Sequence, residues 1–277
     1  MRINKKEIPA LLEYLDSFAG SGLNPAEIKN YLNFSLDRFL KTLELIPEDI
    51  GGKSRVLELG ASPYFMSLLL KKKLNCSLDF GNYFGSDKKV KTKEVLVSGA
   101  FSERHVMEFR HFNVERDRFP FKDNTYDMVL FCEIIEHLTV NPVHSLVQIN
   151  RILKKGGYLV ITTPNVLRYE NILKLLIGAN VHDHYSGYGA HGRHNREYTP
   201  SELRLLVEGM GFEVVRLYTK VTGSMKIEGF SIKKFRRFIQ LLTTNNRGSN
   251  IFLLARKTKD TGPVYPSWLF ESMHDAT

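Results

Sequence analysis

Apolar residues recur at helical spacing over residues 7–46. Leu11, Leu12, Leu15 and Phe18 form one stripe; Ile28, Leu32, Leu36, Phe39, Leu40 and Leu43 form a second. Gly20-Ser21-Gly22 and Asn24-Pro25 separate the two. The spacing predicts a helical cap over residues 1–50. From Arg55 the pattern changes, and short apolar runs alternate with amphipathic stretches, the mark of a mostly parallel sheet with helices on both faces. The expected strands are Arg55–Leu59, a second near Cys76–Phe80, a third near Phe109–Val114, Tyr126–Phe131, Tyr158–Thr163, Phe212–Tyr218 and Ile251–Ala255. Helices are expected from the first strand through Leu74, after the fourth strand, over Pro142–Leu153 and from Thr199 to about Gly209. Thr199-Pro200-Ser201-Glu202 has the form of a capping box with proline at the first helical position. Lys154-Lys155-Gly156-Gly157 reads as a helix stop, and a basic stretch from Lys88 to Lys93 as part of a long connection. The main domain then covers residues 51–258, and 259–277 reads as a tail.

Composition narrows this picture. The chain has 277 residues and 43% apolar content, enough for a sizeable core. The formal charge of +9 favours anionic partners: nucleic acid, phosphorylated metabolites or an anionic surface. A basic amphipathic helix is expected over 229–242, where Lys233, Lys234, Arg236 and Arg237 interleave with Phe235, Phe238 and Ile239. Two cysteines, Cys76 and Cys132, are too few for a stapled secreted scaffold, and a cytoplasmic location is expected. Glu13 and Asp16 interrupt any leader-like apolar run, and no stretch approaches the roughly 20 apolar residues of a membrane span.

In open α/β sheets, ligands bind beyond the carboxyl ends of the strands. The first strand ends in Val56-Leu57-Glu58-Leu59-Gly60-Ala61-Ser62-Pro63. Gly60 allows a tight turn, Ser62 is a candidate cap with Pro63 at the first helical position, and Glu58 can meet a cationic amino-acid group. This run resembles the first motif of the class I S-adenosylmethionine-dependent methyltransferases. It keeps the acid and the first glycine and holds Ser62 and Tyr64 at the next two glycine places. Further on, Asp79 stands where that family holds the ribose, and Asn113-Val114-Glu115 where it meets the adenine. Phe119-Pro120-Phe121, Asp123 to Asp127, and Leu153 to Thr163 resemble the family's fourth and fifth strand approaches. The likeness covers roughly residues 54–218. It implies a seven-stranded, mostly parallel Rossmann-like methyltransferase sheet. It also implies S-adenosyl-L-methionine as cofactor, held by Glu58, Gly60, Ala61, Ser62, Asp79, Asn113, Val114, Glu115 and Cys132. A dehydrogenase would need glycines for a pyrophosphate, which Ser62 and Tyr64 do not supply.

The reaction site is expected at Cys132-Glu133-Ile134-Ile135-Glu136-His137, just past the fourth strand. If this run is helical, Glu133, Glu136 and His137 share one face, and two carboxylates with an imidazole suit a divalent cation such as magnesium or manganese. A second cluster, His182-Asp183-His184 and His191 to Thr199, overhangs the same edge, with His194 as a candidate fourth ligand. The pairing resembles metal-using methyltransferases with a Glu-x-x-Glu-His motif and a distant histidine, either terminal-ribose 2′-O-methyltransferases of small RNAs or ubiquinone-type O-methyltransferases. The run Gly192 to Thr199 also resembles bacterial methyltransferases associated with surface sugars. These likenesses imply Glu133, Glu136, His137 and His194 as ligands. His137, His191 and His184 are candidates for proton transfer. A competing reading has Glu133 touching cofactor and His137 merely filling space. The acceptor expected is a hydroxyl of a small polar or glycan-type intermediate. An RNA terminal ribose and a non-catalytic α/β binding module are the alternatives.

Overall fold

The computed structural model describes residues 3–18, 24–85, 92–187, 189–222 and 246–270. Two helices, α1 (Ile8–Asp16) and α2 (Pro25–Leu45), form the cap; the Asn24 side chain accepts the Ala26 N–H and starts α2. Then follow β1 (Arg55–Leu59), α3 (Phe65–Leu74), β2 (Ser77–Asn82), β3 (Lys93–Ser98), β4 (Glu103–His111) and β5 (Tyr126–Cys132). The chain continues through α4 (Val143–Ile152), β6 (Leu153–Pro164), α5 (Tyr169–Leu176), α6 (Pro200–Gly209), β7 (Phe212–Lys220) and β8 (Asn250–Lys257). One eight-stranded sheet runs β3-β4-β2-β1-β5-β6-β8-β7. The pairings among β4, β2, β1, β5 and β6 are parallel, and those of β3, β7 and β8 are antiparallel.

Each central strand alternates between two cores, because successive side chains point to opposite faces. Val56, Met128, Leu130 and Val160 meet Leu15, Leu32, Leu43, Leu68 and Leu69 of the α1–α3 layer. Leu57, Val129, Phe131 and Leu159 meet Leu146, Ile149, Leu203 and Leu206 of α4 and α6. Burial on both faces is why these strands read as unbroken apolar runs. The cap is continuous with the first of these cores, and Leu269 and Phe270, in the expected tail, lie against the second.

The seven expected strands are present with an eighth, β3, at the edge. The sequence disguises its segment as part of a long basic connection, since Lys93 and Glu94 mask the alternation of Val95, Leu96 and Val97. The third expected strand lies earlier than its apolar residues suggest, at Glu103–His111, because the hairpin with β3 sets its register. Strand β6 begins at Leu153 and runs through the two glycines that have the form of a helix stop. The capping box of α6 is present as expected: Thr199 Oγ1 accepts the Glu202 N–H, and Glu202 accepts that of Thr199. The expected 229–242 helix, and positions up to 91 of the basic connection, lie outside the described residues.

Candidate active site

Strand β1 delivers Glu58 and the turn after it to the carboxyl edge of the sheet. Gly60 has φ +66°, and a Cβ there would sit 2.9 Å from Ile134 Cδ1, so both conformation and space call for glycine. Its N–H donates to the Gly81 carbonyl at 2.7 Å, tying this turn to β2. Ser62 does not cap α3 as expected. The helix starts at Phe65 behind Tyr64, whose left-handed backbone (φ 67°) replaces a side-chain cap. The Ser62 N–H instead faces Asn82 Oδ1 at 3.4 Å, and Asn82 Nδ2 donates to the Tyr64 hydroxyl at 3.0 Å. Glu58 is buried and accepts a 2.5 Å hydrogen bond from Ser67. Burial pushes its carboxyl up to about 8, the Ser67 hydroxyl only partly opposing this.

Two cavities open at this edge. The first, 180 Å³, is lined by Glu58, Gly60, Ala61, Ser62, Cys132 and Thr162, and is roofed by Tyr31, Arg38 and Thr42 of α2. The second, 170 Å³, is lined by Asn82, Tyr83, Asn113, Val114, Glu115, Leu138, His137 and His191. Gly60 and Glu133 line both. Of the nine expected cofactor residues, eight therefore lie on this cleft. Asp79 does not. Its carboxylate engages Arg55 at 2.8 Å and the Tyr126 hydroxyl at 3.0 Å, among residues that begin β1 and β5, at the opposite ends of the strands. The strand extends two residues beyond its expected end and brings Asn82, with Tyr83 after it, to the wall of the second cavity. Glu115 lies on the cleft wall with its carboxylate committed to the backbone N–H groups of Thr139 and Val140, at 2.6 and 2.7 Å. The Cys132 thiol is pushed up to about 12 by burial and by the charge of Glu58, which leaves it a packing group rather than a nucleophile.

The run after β5 is not the helix that would align Glu133 with Glu136 and His137. Glu133 sits at a left-handed kink (φ 52°), and only Ile135–His137 forms a short 3-10 turn. Three of the four expected ligands still converge. Ligand atoms of Glu136, His137 and His194 lie within 4.8 Å of one another. Glu136 is fully buried; one oxygen accepts the Thr163 hydroxyl at 2.9 Å, and the other, Oε1, has no hydrogen-bond partner among the described residues. His137 Nδ1 faces the Arg193 carbonyl at 3.0 Å, and His194 Nδ1 faces Glu197 at 2.9 Å, which leaves each ring its Nε2. Glu197 is itself paired with Arg168. Burial and the neighbouring His194 hold His137 below the usual histidine range. Burial also pulls His194 down, but Glu197 and Asp183 outweigh it and leave His194 above that range. Burial and the charge of Glu133 push Glu136 well above the carboxylate range.

Glu133 stands apart from this cluster, bound to Arg38 of α2 at 3.0 Å, with Asn250 Nδ2 at 3.3 Å from both of its oxygens. His191 lies at the mouth of the second cavity, 3.9 Å from Glu115. His184 is exposed and lines neither cavity. Arg38, Tyr31, Asn82 and Tyr83 are site residues that the motifs do not mark. The first two had a signal. Tyr31, Ser35, Arg38 and Thr42 form a polar line at helical spacing along a helix whose other inward residues are apolar.

A family model described as a methyltransferase domain matches residues 30–217. An uncharacterised protein of Methanocaldococcus jannaschii is 34% identical over 108 residues, 36% of this chain. The match spans about half (47%) of that relative's own length. Among solved structures, a methyltransferase in complex with the Haloferax volcanii activator Trm112 superposes with a TM-score of 0.52 at 16% identity, covering 82% of this chain and 93% of that one. A SAM-dependent methyltransferase from Archaeoglobus fulgidus gives 0.51 at 16% identity, over 82% and 94%. At this identity the two structures establish the fold.

Proposed function

This chain belongs to the methyltransferase domain family, and we propose that it moves a methyl group from S-adenosylmethionine to a hydroxyl of a small polar or sugar-type intermediate with the help of a divalent cation. The lining of the cleft supports this cofactor. Glu58 suits the ammonium of its amino-acid end, the Gly60 turn permits close approach, and Asn82, Tyr83, Asn113 and Val114 suit the nucleoside. S-adenosylmethionine supplies an electrophilic methyl on sulfur; the chain must supply an oriented, deprotonated acceptor.

The observation that carries the cation is Glu136 Oε1. A fully buried carboxyl oxygen without a hydrogen bond among the described residues is costly, and here it lies 3.8 Å from His137 Nε2 with His194 beside it. Each ring already gives its Nδ1 to an acceptor, the arrangement that orients a metal-binding imidazole. A carboxylate with two imidazoles suits a first-row divalent ion such as manganese or iron. A bound cation would lower the pKa of an acceptor hydroxyl and fix its approach to the methyl. His191, which lines the second cavity, is the better candidate to take the proton, since His184 lines neither cavity.

Calorimetry with S-adenosylhomocysteine and with manganese tests both parts. We expect micromolar binding of the nucleoside and a loss of at least about a hundredfold in manganese affinity for Glu136→Gln. Full methyl transfer in EDTA, with an acceptor once found, would remove the cation; no nucleoside binding would leave a non-catalytic α/β module. Acceptor screening then separates sugar diols from RNA 3′ ends, since both present vicinal hydroxyls. Preference for RNA with strong salt dependence would replace the sugar reading.

A further inference from the structure

We propose that Arg38 of the cap binds the α-carboxylate of the cofactor, and that the incoming carboxylate displaces Glu133 from the guanidinium and releases it toward Glu136, His137 and His194. This rests on the cofactor and cation readings above and adds a coupling between them. Arg38 is the one cation among the residues lining the first cavity, which also holds the carboxyl groups of Glu58 and Glu133. An amino-acid end brings one ammonium and one carboxylate. Glu58 beside the Gly60 turn meets the first, and Arg38 in the roof can meet the second. With Nη2 given to Tyr31 and Ser35, the Nη1 end that Glu133 occupies is the one a cofactor carboxylate would take in a charge-assisted hydrogen bond.

The Arg38 side chain is held independently of Glu133. It donates to the Tyr31 hydroxyl at 3.1 Å and to Ser35 Oγ at 3.3 Å, and lies 5.6 Å from the centroid of the Phe39 ring. Its side chain is only 11% exposed, so it needs an anionic partner in every state. Exchanging one carboxylate for another keeps it paired. Glu133 is the less tightly held half of the pair. It lines both cavities, sits at a kink three residues before Glu136, and is otherwise touched by Asn250 at the long distance of 3.3 Å. Once released, its charge is unpaired unless a cation arrives beside it. Cofactor and cation therefore favour each other's binding, by the same factor in both directions.

The test uses the full chain and two nucleosides. S-adenosylhomocysteine carries the amino-acid end, and 5′-methylthioadenosine lacks it. Affinities are measured by calorimetry with and without manganese, for wild type, Arg38→Met and Arg38→Lys. We expect Arg38→Met to weaken S-adenosylhomocysteine by about 10- to 100-fold, with Arg38→Lys in between, and to leave 5′-methylthioadenosine unchanged. In wild type, S-adenosylhomocysteine but not 5′-methylthioadenosine should tighten manganese, and Arg38→Met should abolish that effect. Unaltered 5′-methylthioadenosine binding also certifies that a variant is folded. Equal S-adenosylhomocysteine affinity in wild type and Arg38→Met, or parallel weakening of both nucleosides, overturns the role of Arg38 and leaves the cofactor reading standing. Manganese affinity indifferent to S-adenosylhomocysteine overturns the displacement of Glu133. Failure of wild type to bind either nucleoside overturns the cofactor reading and this inference with it.

Discussion

Glu58 is a carboxyl group enclosed by the protein with a single hydroxyl, that of Ser67, to satisfy it. Its folded pKa of about 8 lies above the value of 4.5 expected in an unfolded chain. The folded state therefore keeps a proton that the unfolded chain loses. That contribution to stability is complete below the unfolded pKa and is lost as the pH rises through the folded one. Replacing Glu58 by glutamine keeps a neutral side chain at every pH. We expect the melting temperature of Glu58→Gln to fall less than that of wild type between about pH 5 and pH 8. A cofactor ammonium beside Glu58 favours the ionised form, so wild type should release a proton on binding S-adenosylhomocysteine near neutrality, and Glu58→Gln should not. Calorimetry in buffers of different ionisation enthalpy reads this directly; equal proton release would remove Glu58 from the amino-acid subsite. The place of Glu58 is legible in the sequence because an acid inside a buried apolar strand costs stability, which a cationic ligand can offset. Asp79 is illegible for the opposite reason. A carboxylate at about the expected spacing says nothing of which end of the strand it occupies, and Arg55 and Tyr126, distant in sequence, decide that.

At the scale of elements, local signals are legible where the chain satisfies itself. The start of α6 is one such place, with Thr199 and Glu202 closing the capping box within four residues. Thr199→Ala should cost about 1 kcal/mol and lower the melting temperature by roughly 2–4 °C; an unchanged melting curve would mean that the helix start is held by the buried Tyr198 and Leu203 instead. Signals fail where tertiary contacts override spacing. Glu133, Glu136 and His137 share a face only on a helix. The chain instead kinks at Glu133, whose carboxylate is bound by Arg38 and Asn250, both far away in sequence. Three ligands still meet because His194 arrives from the loop before α6, where Asn195 N–H and Arg196 N–H reach the Glu136 carbonyl at 2.7 and 3.2 Å. Strand β3 escapes detection because an edge strand with one covered face carries charges that a periodicity search reads as a loop.

At the scale of the molecule, the cap is the part whose role the sequence disguises. Its stripes of leucine and phenylalanine read as a separate helical unit. In the structure, Leu15, Leu32, Phe39 and Leu43 share one core with Val56, Leu68, Met128 and Val160, and α2 roofs the first cavity. A chain starting at residue 51 would expose one covered face of the sheet and lose the roof over Glu58. At roughly 25 cal/mol per Å², baring about 200–600 Å² of apolar surface is enough to offset the 5–15 kcal/mol that holds a typical domain together. We therefore expect residues 51–277 to lack a cooperative melting transition and to bind no S-adenosylhomocysteine, and the full chain to show the transition and the binding. Supplying residues 1–50 as a separate chain tests the same point from the other side. If the two pieces associate, binding should return together with the melting transition, since the same helix completes the core and closes the site. A truncated chain that melts cooperatively and binds S-adenosylhomocysteine with full affinity would make the cap an accessory, and would remove Arg38 from the cofactor site in the same experiment.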